Sequence, residues 1–149
     1  MTVITSAMNT PRYGMPTFDC GGTQIRAHHR HLATVVTIRG AIDAVNVDRI
    51  SDYTLRFILA RHPLVLDLSG VNFFASAGIS LLNLVDTACR AAESEWLLVA
   101  GQAVTDRLAD HGDEATFPTT SSVHAALHCF ADAISTRRQL LLPLVGKTA

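Results

Sequence analysis

Ser76 stands in the stretch VNFFASAGIS, between a run of buried-strand character, LVLDLS (Leu64 to Ser69), and an amphipathic run, ISLLNLVDTAC. Three chemistries are open to a hydroxyl in that place. Its oxygen can cap the following helix by taking an orphan backbone N–H, worth about 1 kcal/mol. It can be a nucleophile raised on a strand-to-helix elbow. Or it can accept a phosphate, which would carry roughly -1.5 to -2 charges at the positive end of a helix dipole.

The nucleophile reading fails on local sterics. An elbow of that kind needs glycine two positions before and two positions after the serine, because its turn is strained. Gly78 meets the second requirement, but Phe74 occupies the first. A base is also required. His28, His29 and His31 fall on an early hairpin and His124 and His128 on a late helix, and nothing marks one of them as that base. No catalytic residue is therefore assigned and the chain is not expected to be an enzyme. Neither Gly70 nor Gly78 is followed by Gly-Lys-Ser/Thr, so no phosphate-binding loop is read either.

The remaining chemistry-bearing side chains have plainer explanations. Strand alternation sends His28 and His29 to opposite faces, which argues against a metal site in the HHRH cluster, and no cofactor is expected. Asp67 interrupts an apolar strand and needs partners, which loop N–H groups can supply. Trp96 opens a strand and reads as packing. Cys20, Cys89 and Cys129 are odd in number and form no C-x-x-C pair, which fits a reducing, cytoplasmic setting with the cysteines as small hydrophobes. Cys20 is expected to be the exposed, oxidisable one.

The elements that must hold Ser76 are legible from periodicity. TQIRAHHR and LATVVTIRG read as an antiparallel hairpin ending at Gly40. Asp43 can cap a helix in which Val47, Ile50, Thr54, Phe57 and Ile58 share a face, with Asp52 and Arg56 as an i,i+4 pair and Pro63 as the stop. LVLDLS is nearly continuous in apolar residues, as a strand covered on both faces must be. Beyond Ser76, Leu81, Leu82, Val85, Ala88, Cys89 and Ala92 form one stripe, while Ser76, Ser80, Asn83, Thr87 and Arg90 follow the opposite side. Glu95 to Gly101 reads as a strand, AVTDRLADHG as a short helix ended by Gly112, and FPTTSS as a short edge strand. Ser121 or Ser122 then caps a final helix carrying Val123, Ala126, Leu127, Phe130 and Ile134.

The resulting order, β-β-α-β-α-β-α-β-α, implies an α/β fold: a mixed, mostly parallel sheet of four to five strands packed with about four helices. Residues 1–17 read as a flexible leader, 18–136 as one domain and 137–149 as an apolar tail, Leu140 to Val145 broken by Pro143, that either folds back on the body, as the usual avoidance of exposed apolar patches favours, or meets a partner. With 149 residues, 48% of them apolar, one core is affordable. The formal net charge of -1, with no face or segment expected to gather Lys and Arg in the number that binding a phosphate backbone requires, argues against nucleic acid, and no apolar run approaches the roughly 18 residues of a membrane span. The amino terminus has no secretory pattern. Composition leaves the oligomeric state open.

The segment LVLDLSGVNFFASAGISLL resembles the signature of STAS domains, in particular the bacterial anti-sigma factor antagonists, at Asp67, Leu68, Ser69, Val71, Phe73, Ser76 and Gly78. IRGAIDAVNV and LADHGDEATFPTTSSVHAAL are similar to further parts of that family, so the likeness spans residues 18 to 135. It implies a STAS-like fold and a non-enzymatic role. It also implies a phosphoacceptor at Ser76 and an ATP-binding protein kinase as partner, itself an anti-sigma factor, whose release frees a sigma factor. The partner surface implied is Asp43, Ala75, Ser76, Ala77, Ser80 and Asn83. The family has Asp immediately before the serine, where this chain has Ala75. That departure keeps open a STAS adaptor governed by a small ligand or by redox state instead of phosphate.

Overall fold

The computed structural model describes residues 17–113 and 115–148, with side chains through Arg138. One six-stranded mixed sheet organises the chain, with its strands in sequence order. They are β1 (Thr17–Cys20), β2 (Thr23–His29), β3 (Thr34–Ile42), β4 (Leu64–Phe74), β5 (Trp96–Ala100) and β6 (Thr119–Thr120), interleaved with helices α1 (Val47–Leu55), α2 (Gly78–Ala91), α3 (Gln102–Asp110) and α4 (Val123–Thr148). β1, β2 and β3 pair antiparallel, as hairpins allow, and each later pair is parallel, as crossover helices require.

The sheet is packed on both sides. Ile25, Ala27, Val36, Ile38, Leu64, Leu66 and Leu68 point into the main core with Val47 and Ile50 of α1, Leu81, Leu82 and Val85 of α2, and Val104 and Leu108 of α3. On the other face Val35, Val65 and Val99 meet Ala126 and Phe130 of α4. This split explains why LVLDLS is apolar at nearly every position. Ser122 caps α4 as its side-chain oxygen accepts the Ala125 N–H at 3.0 Å.

Several expectations are corrected. The described residues form six strands, because the chain from Thr17 already pairs: Gly21 and Gly22 both have positive φ, 60° and 91°, and form the two-residue turn of a tight hairpin. The leader reading thus overlaps β1 at Thr17, and residues 1–16 lie outside the described residues. Cys20 is consequently buried in that hairpin, and Cys129 is the exposed cysteine. α1 stops at Leu55, well before Pro63, and Arg56 lies over the Tyr53 ring at 5.6 Å in place of an Asp52 ion pair. Pro63 instead accepts the Thr34 N–H at the head of β3.

The backbone of α4 is helical through Pro143 to Thr148, so the tail is not broken where its proline stands. The side chains of 139–149 lie outside the described residues, and with them the expectation that the tail folds back.

The most consequential difference is the length of β4. It runs five residues past Ser69, because two register shifts against β3, between Thr37 and Arg39 and between Gly40 and Ala41, each place an extra β4 residue opposite β3. Its buried residues accordingly go Leu68, Val71, Phe74, a period of three that conceals a strand.

Burial also fixes cysteine chemistry. Desolvation pushes the Cys89 thiol above the ordinary 9.0; Asp86 adds to the rise and the Ser94 hydroxyl partly offsets it. In the native protein one thiol, Cys129, is expected to react promptly with a disulfide reagent, with Cys20 and Cys89 following only on unfolding. Above about pH 9 the unfolded chain ionises Cys89 while the folded chain keeps it protonated, so stability should fall as pH rises. Thermal melts of wild type and Cys89→Ala across that range check the sign: the variant should lose less.

Candidate functional site

The extension of β4 delivers the loop that carries Ser76. Phe74, 2% exposed, drives its ring beneath the start of α2 and lies where a side chain on residue 78 would be: a Cβ there would sit 2.5 Å from Phe74 Cε1. Gly78 is therefore required by the close approach of an aromatic ring. Two hydrogen bonds pin the backbone beside that ring. Arg107 of α3 donates from Nε to the Phe74 carbonyl at 2.9 Å, and the Ala75 N–H donates to the Ile42 carbonyl at 2.9 Å.

Ser76 is exposed on this fixed loop, and it is not a cap. The residue entering the helix is Ala77, already in helical conformation (φ -59°, ψ -25°), and no side chain caps α2. A capping oxygen needs an extended backbone at the cap position, which Ala77 does not have. Nor are the first amides of the helix free: the N–H groups of Gly78, Ile79 and Ser80 donate to the carbonyls of Ala75, Ser76 and Ala77 at 2.8 to 3.1 Å. A phosphate on Ser76 would meet the helix dipole without these three donors.

Sequence reasoning missed its neighbour. His111 Nε2 lies 3.2 Å from Ser76 Oγ. His111 is held there by the end of α3, where Gly112 (φ 71°) donates to the Ala109 carbonyl and Asp113 to the Leu108 carbonyl, the paired bonds of a glycine-terminated helix. The sequence signal for this terminus was Gly112; what it did not disclose is that the turn faces Ser76, a separation of 35 residues. Serine and histidine within hydrogen-bond reach form two members of a nucleophilic arrangement. The bonds of the described residues include no carboxylate orienting His111, and Phe74 still occupies the glycine position of an elbow.

The residues expected to form a partner surface come together at one end of the sheet. The Ala75–Ile42 bond sets the turn 43–46 beside the serine loop. Asp43 organises that turn ahead of α1, its Oδ1 accepting the N–H groups of Val45 and Asn46 at 2.9 and 3.0 Å, while its own N–H donates to Asn46 Oδ1. It thus caps the turn, with α1 beginning only at Val47. Ser80 and Asn83 are exposed on α2, Thr87 and Arg90 continue that face, and Ala75 and Ala77 are half-buried.

Apolar side chains interrupt this polar surface: Phe73 is 50% exposed, Leu84 44% and Val45 89%. The Phe73-Phe74 doublet divides its work, one ring inward as wedge and one outward. Asp67, seven residues earlier in β4, does what its strand position suggested: Oδ1 accepts the Ser69 N–H at 3.0 Å and the Ser69 hydroxyl at 2.7 Å.

The STAS domain family model matches residues 24–126. Osmosensory protein A of Mycobacterium tuberculosis (strain ATCC 25618 / H37Rv) is 54% identical over 144 residues, covering 94% of this chain and 91% of that protein. The crystal structure of an anti-sigma factor antagonist from Mycobacterium paratuberculosis superposes with a TM-score of 0.62 at 22% identity, over 73% of this chain and 94% of that one. An anti-sigma-factor antagonist (STAS) domain protein from Planctomyces limnophilus gives the same TM-score and identity, over 72% and 97% of the two chains. At that identity the two solved structures establish a shared fold.

The wedge yields a direct test. Gly78→Ala should destabilise the protein by about 1–3 kcal/mol, as overpacking does. Phe74→Leu, which removes the ring edge the new methyl meets, should make the second substitution cheaper, so that denaturant midpoints of the four proteins give a favourable coupling energy. Additive effects would separate Gly78 from Phe74.

Proposed function

The chain belongs to the STAS domain family, and from that membership together with the surface around Ser76 we propose that it is an anti-sigma factor antagonist. On this reading it is a binding module without catalysis, working in the cytoplasm. It docks an ATP-using, kinase-type anti-sigma factor and thereby frees a sigma factor, and phosphorylation of Ser76 turns it off.

The observation that carries the proposal is an exposed hydroxyl on a loop held from three sides, by the Phe74 ring, by Arg107 and by Ile42. A rigid support matters because a charge change on a mobile loop could swing aside, whereas here it stays in the contact plane. Around the hydroxyl, Ser80, Asn83 and Thr87 offer uncharged polar contacts, and Phe73, Leu84 and Val45 offer the apolar anchors that dominate binding energy at interfaces. Asp43, Ala75 and Ala77 complete the proposed contact surface. The small alanines beside Ser76 let a partner backbone approach closely.

A phosphate placed in such a contact must be desolvated against a surface shaped for a neutral group. A penalty of about 3 kcal/mol corresponds to a loss of more than a hundredfold in affinity. His111, 3.2 Å away, is the side chain placed to pair with the phosphate inside the free protein, which further favours the undocked state.

Ala75 favours a second reading in which the same module works without phosphate, as a STAS-type adaptor whose input is a small ligand or redox state. The name of the Mycobacterium tuberculosis relative, Osmosensory protein A, supports a sensory input of that kind.

The affinity of the purified chain for its cognate anti-sigma factor separates the two. Ser76→Glu should weaken binding by about a hundredfold or more, while Ser76→Ala leaves it within a few-fold of wild type. Equal affinity of the two variants removes the phosphate switch and leaves the ligand-governed adaptor.

A further inference from the structure

α4 covers only part of the second sheet face. Beside it, outward-facing side chains of β2, β3 and β4 line an open cleft of about 330 Å3 that includes Arg26, His28, Thr37, Arg39 and Asp67, with Arg30 from the turn after β2. The register explains the gathering. Arg26 lies opposite Thr37, and Thr37 opposite Asp67, so the three form one row across the sheet. Arg39 stands one row further on, opposite Gly70. That glycine has a visible purpose: a Cβ on it would sit 2.8 Å from Arg39 Cγ, so its absence lets the arginine stem lie across β4.

The charges of this cleft are not balanced by the protein. None of the ion pairs among the described residues uses Arg26, Arg30 or Arg39. Asp67 is the one carboxylate of the lining, and its Oδ1 is already engaged by Ser69. Three guanidinium groups therefore face one partly committed carboxylate, in a chain whose formal net charge is -1. Like charges on neighbouring strands repel. Arginine presents a planar fork of donors that matches phosphate oxygens in pairs, and a volume near 330 Å3 lies in the range of small-molecule sites.

We propose that this cleft binds a small, soluble polyanion of the phosphate class, with Arg26 and Arg39 as its principal contacts and Arg30 closing over it. The site is separate from the Ser76 loop and does not depend on the reading of that serine.

Titration calorimetry of the full chain with inorganic tripolyphosphate tests this. Saturable one-to-one binding is expected, weakening by about tenfold or more from low to high salt, because exposed charge pairs are screened. The double variant Arg26→Gln/Arg39→Gln should lose at least about tenfold. Gly70→Ala, which displaces the Arg39 stem and leaves every charge in place, should weaken binding too. Asp67→Asn should tighten it, and Ser76→Glu should bind as wild type does.

Absence of saturable binding by the wild type, or equal binding by the wild type and the double arginine variant, overturns the proposal. So does association with phosphatidylglycerol vesicles or with a polyglutamate peptide when tripolyphosphate fails, since those results assign the cleft to a lipid surface or to an acidic protein segment.

Discussion

The contact between the Phe74 ring and Gly78 is the constraint on which the arrangement at this end of the molecule depends. A buried aromatic at the last position of β4 ties the end of a central strand to the first residue of α2, and the glycine is what allows them to touch. Packed interiors adjust little to added volume. The three residues from Ala75 to Ala77 therefore inherit the rigidity of the core although their side chains are at least partly exposed. Arg107 and Ile42 then fix the backbone from α3 and from β3. The hydroxyl of Ser76 is exposed and yet positioned, which is a property of the packing beneath it and not of the loop sequence.

Much of this was legible in the sequence, and the residues show why. The stripe of Leu81, Leu82, Val85 and Cys89 is buried and its opposite face is exposed, because a fourteen-residue helix against a sheet leaves the period of 3.6 little freedom. LVLDLS announced a doubly covered strand through its own composition. What escaped reading were features whose periodicity changes within an element. Beyond Leu68 the bulged strand buries every third residue, so SGVNFF resembles neither a strand nor a helix. β1 is four residues long and depends on a Gly-Gly turn for its existence. Contacts distant in sequence were invisible for a different reason. No local pattern records that the turn after α3 returns to Ser76, nor that Arg107 reaches the Phe74 carbonyl.

The near-neutral overall charge conceals a division of labour between the two faces of the sheet. One face is almost wholly apolar and is consumed by α1, α2 and α3. The other is apolar only under α4 and becomes cationic where that helix ends its coverage. A summed charge cannot report such a layout, since alternation along β2 and β3 sends Arg26 and Arg39 to the same side while their sequence neighbours Ile25 and Ile38 go to the other. Uncharged polar side chains thus predominate around the carboxyl end of β4 and arginines on the sheet's flank, with β4 contributing to both.

The strand order has its own corollary for recognition. On one side the described sheet ends in β6, two residues long. A ladder that short offers an incoming peptide few main-chain groups to zip against, and the same brevity discourages self-association along that edge. Recognition by extending the sheet past β6 is thereby disfavoured, which leaves the side chains of the helices and loops beside it as the readable surface.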